Sequence, residues 1–226
     1  LEGGSGVSDS GDSSAREKRI ARLSELRERA EGWAPARALG TLRETMVFAV
    51  GNPFADIVFV GEAPGSEEER MGEPFVGPAG QKLTKIIAAM GLKREEVYIS
   101  NICKFRPAME YQGSGNRKPT LEEMQSCLPF IVAELGIIEP RMVVALGATA
   151  AEGLGLKGAV SGLRGRFHDA YGIPMRVTFH PSFILREERD NGGMRVKRQV
   201  WEDMLAVMDF LRMPVSEKQR GYFSGG

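Results

Sequence analysis

Cysteine is scarce in this chain, with only Cys103 and Cys127 among 226 residues. Two thiols make no disulfide framework and form no CxxC pair for zinc or redox work. Histidine is equally rare, represented by His168 and His180, and neither HxH nor HxxxH spacing is present for a metal. Charge of one sign is also missing: 30 basic residues balance 30 acidic ones. That argues against a protein that simply coats nucleic acid electrostatically, although a locally basic face stays open. No apolar run reaches the length of a membrane span. The opening LEGGSGVSDSGDSSAREKR has no apolar segment of the kind a signal peptide needs. Together these absences predict a monomer in the reducing cytoplasm, away from membranes and without an obligate protein partner. What is present is core material: 42% of residues are hydrophobic, enough to fold without disulfides or metal.

Residues 1–14 read as a disordered or vector-derived lead and 15–45 as a helical arm packed on the core. The main domain is expected over 46–212, with a tail over 213–226. Within the arm, 15–32 predicts a charged helix with Ile20, Leu23 and Leu26 on one side. ADIVFVGEAPG reads as a buried strand ending in a Gly/Pro turn. PAGQKLTKIIAAMGL follows as a helix whose Leu83, Ile86, Ile87 and Met90 share a face. EEVYISN predicts a second strand, and Thr120 with Glu123 opens the next helix as a capping box. PRMVVALGATAAEGL reads as a strand running into a helix, PMRVTFHPS as a fourth strand, and RVKRQVWEDMLAVMDFLRM as a closing amphipathic helix. This alternation predicts an α/β fold, a three-layer α/β/α sandwich around a central four-stranded parallel sheet. In such a sheet the segments after the strands, GEAPG, SNICKFRP, LGATA and TFHPSFILR, gather along one edge where ligands bind.

Those segments carry the chemistry. The turn at Glu62 has neither GxGxxG nor GxxxxGK[ST], and its carboxylate would repel a phosphate, so a nucleotide cradle is disfavoured. Glu62 reads equally as a solvated turn residue or as a base acting on water or a developing cation. Phe75 is either a loop anchor or a platform for a stacked base. Asn101 is either a turn residue or a bidentate reader of a base edge. A lone histidine is more often structural, but His180 ends a strand on the same edge as Glu62 and Asn101. Beyond it, Ser182 and Arg186 suit phosphates. Phe183, Ile184 and Leu185 form a knob that reads as a wedge for a base stack or as ordinary helix packing. A carboxylate, an amide, a histidine and an aromatic around one pocket suit reading a flipped base and breaking its glycosidic bond.

The segments GEAPGSEEERMGEPFVGPAGQKL, VYISN..K.RP, GNRKPTLEEMQSC, LGATAAEGL, LRGRF and HPSFILR resemble the type-4 uracil-DNA glycosylases, from about residue 47 to 211. The resemblance implies excision of uracil from single- and double-stranded DNA, leaving an abasic site. By motif position it assigns Glu62 to water or the sugar cation, and His180 to the charge developing on uracil O2. Ala63 would offer a backbone contact, Glu68 would crowd C5 against thymine's methyl, Phe75 would stack, and Asn101 would pair with uracil. Lys82, Arg106 and Arg164, with Ser182, Ile184, Leu185 and Arg186, are expected on DNA.

The departures concern a four-iron, four-sulfur cluster, which the family normally holds on four cysteines. The stretch GWAPARALGTLR has none where two belong, Phe105 stands in place of the third, and only Cys127 matches a ligand. Cys103, two positions earlier, reads as a buried small hydrophobe. The expectation is therefore a cluster-free enzyme with no metal or cofactor, Phe105 and Trp33 helping to fill the space. An added AMEYQGSG lengthens the loop before Asn116. It is not the Arg-rich insertion of relatives that trap DNA covalently, so no covalent adduct is expected. A catalytically silent binder of DNA or a nucleobase is the alternative.

Overall fold

The segments IVFVG and MVVAL show no polar alternation because helices cover both of their faces. The computed structural model describes residues 9–223. Helices α1 (Asp9–Glu31) and α2 (Ala34–Ala38) lead into strands β1 (Leu42–Met46) and β2 (Ala49–Gly51). Next come β3 (Ile57–Gly61), α3 (Ser66–Met71), α4 (Pro78–Ala89), β4 (Tyr98–Asn101) and β5 (Phe105–Pro107). The second half holds α5 (Leu121–Ile138), β6 (Met142–Leu146), α6 (Ala148–Gly153), α7 (Val160–Leu163), β7 (Phe167–Ala170) and β8 (Ile173–Thr178). Helices α8 (Pro181–Asn191), α9 (Met194–Phe210) and α10 (Glu217–Arg220) complete it.

The main sheet has the order β2-β4-β3-β6-β8-β7. Its inner four strands are parallel, as expected. Two antiparallel edge strands, β2 and β7, extend it to six. Sequence pattern misses both because they are three and four residues long and carry no sustained alternation. The β7–β8 hairpin turns on Tyr171 and Gly172, both at positive φ, as a two-residue turn matching strand twist requires. A separate ribbon pairs β1 with β5, Met46 opposite Phe105.

Alternate residues of the inner strands feed two cores. Val58, Val60, Val143, Ala145 and Val177 meet Met124, Cys127, Ile131 and Leu135 of α5. Ile57, Phe59, Ile99 and Val144 meet Leu83 and Ile87 of α4 and Met204 and Val207 of α9. The Thr120–Glu123 capping box is formed, each side chain bonding the other residue's backbone N–H. In α1, Leu26 and Ala30 pack against Phe130 and Ile137, whereas Ile20 stays 45% exposed. Helix α1 already begins at Asp9, inside the segment read as a lead; residues 1–8 lie outside the described residues. The tail folds back, with Tyr222 against Trp201 and the Gln219 side chain donating to the Ala89 carbonyl. Among the described residues no helix is long and apolar enough to cross a membrane.

The order of strand addition reverses between the parallel neighbours β3 and β6, since β4 lies to one side of that pair and β8 to the other. Ligands in open α/β sheets bind outside the strand carboxyl ends at such a switch point.

Candidate active site

A cavity of about 350 Å³ opens there. Glu62 and Ala63 reach it from the end of β3, Asn101 from β4, Gly147 and Ala148 from β6, and His180 from β8; the α3 region adds Glu68 and Phe75. All six residues assigned from sequence to catalysis and uracil binding therefore line one wall-to-wall space.

Close approach depends on two glycines. A Cβ on Gly61 would lie 2.3 Å from Asn101 Oδ1 and 2.4 Å from Phe75 Cζ. Only a glycine lets the amide and the ring both crowd the end of β3. A Cβ on Gly80 would sit inside the Phe75 carbonyl. Phe75 itself has φ +56°, a left-handed conformation costing roughly 1–3 kcal/mol for such a residue. Neighbouring bonds hold it: Glu68 accepts the backbone N–H of Val76 at 3.0 Å and of Gly77 at 2.9 Å. Arg94 donates to the Pro74 carbonyl at 2.6 Å. Glu68 also accepts the Gly65 N–H at 3.2 Å, so its carboxylate is committed to the loop that carries the ring.

Asn101 is 1% exposed, and its Oδ1 has no hydrogen-bond partner. A buried amide oxygen left unpaired costs about 1–3 kcal/mol, which a ligand donor would recover. Behind it the wholly buried Lys104 ammonium donates to Ser100 Oγ at 2.6 Å and to the Asn101 carbonyl at 3.1 Å, and pairs with buried Glu134. Burial raises the Glu134 pKa, with Lys104 opposing. This network fixes the backbone of Asn101 from below the sheet.

His180 is the N-cap of α8. Its Nδ1 accepts the Ser182 N–H at 3.1 Å, with Ser182 Oγ 2.7 Å away. An N–H donor at Nδ1 selects the neutral tautomer with its proton on Nε2. Burial lowers the His180 pKa to about 4, against a smaller upward pull from Glu68. The ring is thus neutral near pH 7 and keeps Nε2–H to donate. It lies 5.8 Å from the Phe75 ring, tilted by 35°. Across the cavity burial raises the Glu62 pKa, opposed by a hydrogen bond from Thr149 and by the Lys118 charge.

The residues expected on DNA fare differently. Ser182 lines the cavity and Arg186 remains exposed over the Phe183 ring. Arg106 is 3% exposed; it donates to Glu69, Asn116, and the carbonyls of Gly113 and Gly115. Arg164 is bound to Asp203, Glu202 and the Gln199 carbonyl, beside the Arg176–Asp203 pair. Lys82 pairs with Glu188 at 2.6 Å and lines a separate cavity with Trp201. Ile184 is 2% exposed against Val196 and Val200, and Leu185 is half-buried. In this structure Arg106, Arg164 and Lys82 are paired with protein groups and Ile184 is packed in the core, because an arginine, lysine or apolar residue next to a loop is equally suited to tying it down. Asn116, Lys118 and Thr149 join the site unforeseen individually; the GNRKP cluster was the signal for the first two and the post-strand LGATA segment for the third.

On the flank formed by α2, β1, β5 and α5, Phe105 is 1% exposed among Ala36, Cys103, Met124 and Cys127. Trp33 caps this cluster, its ring 5.0 Å from Phe130 at 80° and its Nε1–H donating to the Ser126 carbonyl at 2.6 Å. The Cys103 thiol hydrogen-bonds the Cys127 sulfur, which pushes Cys103 well up and pulls Cys127 down to about 6. The donors here are two thiols beside an aromatic ring. No group of three or more metal-ligating side chains occurs among the described residues. That set does not fit a cluster needing four thiolates.

The family model of the uracil DNA glycosylase superfamily matches residues 48–205. A type-4 uracil-DNA glycosylase of Thermotoga maritima is 42% identical over 173 residues, covering 75% of this chain and 85% of the relative. The chain belongs to the type-4 uracil-DNA glycosylase family. A type-4 relative from Archaeoglobus fulgidus is 37% identical, covering 72% of this chain and 85% of its own length. A type-5 uracil-DNA glycosylase of Thermus thermophilus is more distant, at 29% identity over 69% of this chain and 75% of the relative. Glu62, Ala63, Glu68, Phe75, Asn101 and His180, all within the matched residues, line one cavity.

Proposed function

We propose that this protein hydrolyses the N-glycosidic bond of uracil in DNA, single- or double-stranded, and leaves an abasic site. The observation that carries this reading is the unpaired amide oxygen of Asn101, which shares with a neutral His180 and a half-buried Glu62 one cavity roomy enough for a base. Uracil enters flipped, its ring against Phe75, its amide edge on Asn101 and its oxygens near the Ala63 backbone. As C1′–N1 opens, the bonding pair moves onto uracil and charge grows on O2, where the Nε2–H of His180 donates. A neutral donor suits this because it stabilises the anion without itself losing a proton. The ionised Glu62 carboxylate stabilises the sugar cation, then takes a proton from the water that adds to C1′. Glu68 would exclude thymine by bulk: its carboxylate is locked to the Phe75 loop, so a wall near C5 has no room to yield.

The same reading has the enzyme working without an iron–sulfur cluster, in the cytoplasm, with no obligate protein partner. The packed Phe105, Trp33 and thiol pair support the first of these. Uracil-containing oligonucleotides incubated with metal-free enzyme should yield abasic product. Tight binding with no product after long incubation at high enzyme would instead mark a silent binder. Purified protein should show no visible absorption and no iron; a brown, iron-containing preparation would overturn the cluster-free reading.

A further inference from the structure

The wedge position read from sequence is buried at Ile184, while the added loop between Pro107 and Asn116 displays an aromatic in the open. Tyr111 is 85% exposed, the most exposed large hydrophobic side chain among the described residues. No hydrogen bond or ring contact reaches it among those residues. The loop beneath it is nonetheless built. Arg106 donates to the carbonyls of Gly113 at 2.7 Å and Gly115 at 2.6 Å. Arg117 donates to the Ala108 carbonyl at 2.7 Å, and the Gln112 side chain accepts the Met109 N–H at 2.9 Å. A buried guanidinium binding two loop carbonyls orders the segment before any ligand arrives, so presenting the tyrosine costs little further entropy.

Place and chemistry point the same way. Arg106 also holds Asn116 Oδ1 at 3.0 Å, and Asn116 lines the active cavity. Gly113 and Asn116 therefore share one guanidinium, and Tyr111 stands two residues, at most about 7 Å of chain, from Gly113. That is the reach of the nucleotides flanking a base in the cavity, spaced about 3.4 Å apart along a strand. The neighbouring Glu110 is exposed and would repel a phosphate, which leaves a base face as the partner.

We propose that Tyr111 is a stacking platform for a base next to the flipped uracil, a DNA-binding element supplied by the added loop. This rests on the glycosylase reading above. The test uses a labelled uracil oligonucleotide and protein carrying Glu62→Gln to suppress cleavage, with binding followed by anisotropy. Tyr111→Ala should weaken binding about tenfold, and Tyr111→Phe should stay within about twofold. The salt dependence should be unchanged, because stacking releases no counterions. Replacing one base beside uracil with an abasic spacer should erase the difference between Tyr111 and Ala. Equal affinity of Tyr111→Ala overturns the proposal, as does a smaller salt slope or a loss that persists with spacers on both sides. Because Tyr111 is exposed, the variants should fold alike, as a shared melting temperature would verify. Uracil release by otherwise wild-type protein separates the two readings: excision with an indifferent Tyr111 removes only this proposal, whereas no excision removes the reading beneath it.

Discussion

Asn101 and Phe105 stand four positions apart in one stretch of chain, yet the regions they enter have been built by opposite rules. At the strand ends polar groups are kept at a cost: an amide oxygen without a partner, a carboxylate of raised pKa, a phenylalanine at positive φ. On the flank, where the resemblance calls for metal ligands, Phe105 and other apolar groups pack around two free thiols, Cys103 and Cys127. The difference teaches which parts of such a protein are interchangeable. A scaffold element can be exchanged for any packing of suitable volume. Groups that meet a transition state cannot, since their geometry and charge are the function.

The comparison is broken most severely at the strand ends. Glu62→Ala and His180→Ala should each lower the single-turnover excision rate by roughly 10²–10⁴-fold, with His180→Ala also losing about 0.5–2 kcal/mol of stability as the α8 cap goes, too little to unfold the protein. Full activity in both would mean the cavity is not the active site. On the flank the pattern should invert: Phe105→Ala should cost about 3–5 kcal/mol in urea unfolding, while folded protein excises uracil at nearly the wild-type rate. A large rate loss at full stability there would erase the distinction drawn between the regions.

Gly61→Ala tests whether the site's tightness matters. Its methyl must displace Asn101 or Phe75, so kcat/KM should drop by about tenfold or more for an overpacking cost of about 1–3 kcal/mol. An unaltered kcat/KM would show that the amide and ring tolerate movement.

The smallest effect expected is in the pH profile. His180, with a pKa near 4, is already neutral at pH 5 and contributes no limb above it. Glu62 must be ionised to act, and its pKa is raised by burial. The rate should therefore fall as pH drops through a value above the ordinary carboxylate range. In Glu62→Gln the residual rate should be flat over that interval; a surviving limb would assign it elsewhere.

Much of this molecule was legible from local pattern. The four parallel strands, the helices α4, α5 and α9, and the Thr120 cap follow from continuous apolar runs, helical spacing and a four-residue motif, all short-range signals. Glu62, Asn101 and His180 were legible because parallel topology sends every post-strand segment to one edge, whereas Ala63 and Glu68 came only from the family resemblance and Phe75 from its place in a Gly/Pro-punctuated loop. The edge strands and the β1–β5 ribbon were not, being too short for a period. Nor were the fates of the cations: whether Arg106 or Arg164 faces DNA or Asp203 depends on residues distant in sequence.

By itself, then, the sequence determined the layered fold, the edge of the sheet where the site lies and the lack of four cysteines, since residue type and period carry those. Tertiary structure alone decided that His180 keeps its proton on Nε2, that Asn101 has a spare acceptor, and that Ile184 is core while Tyr111 is free. Burial and hydrogen-bond partners are properties of what the fold brings together, and no local stretch of chain contains them.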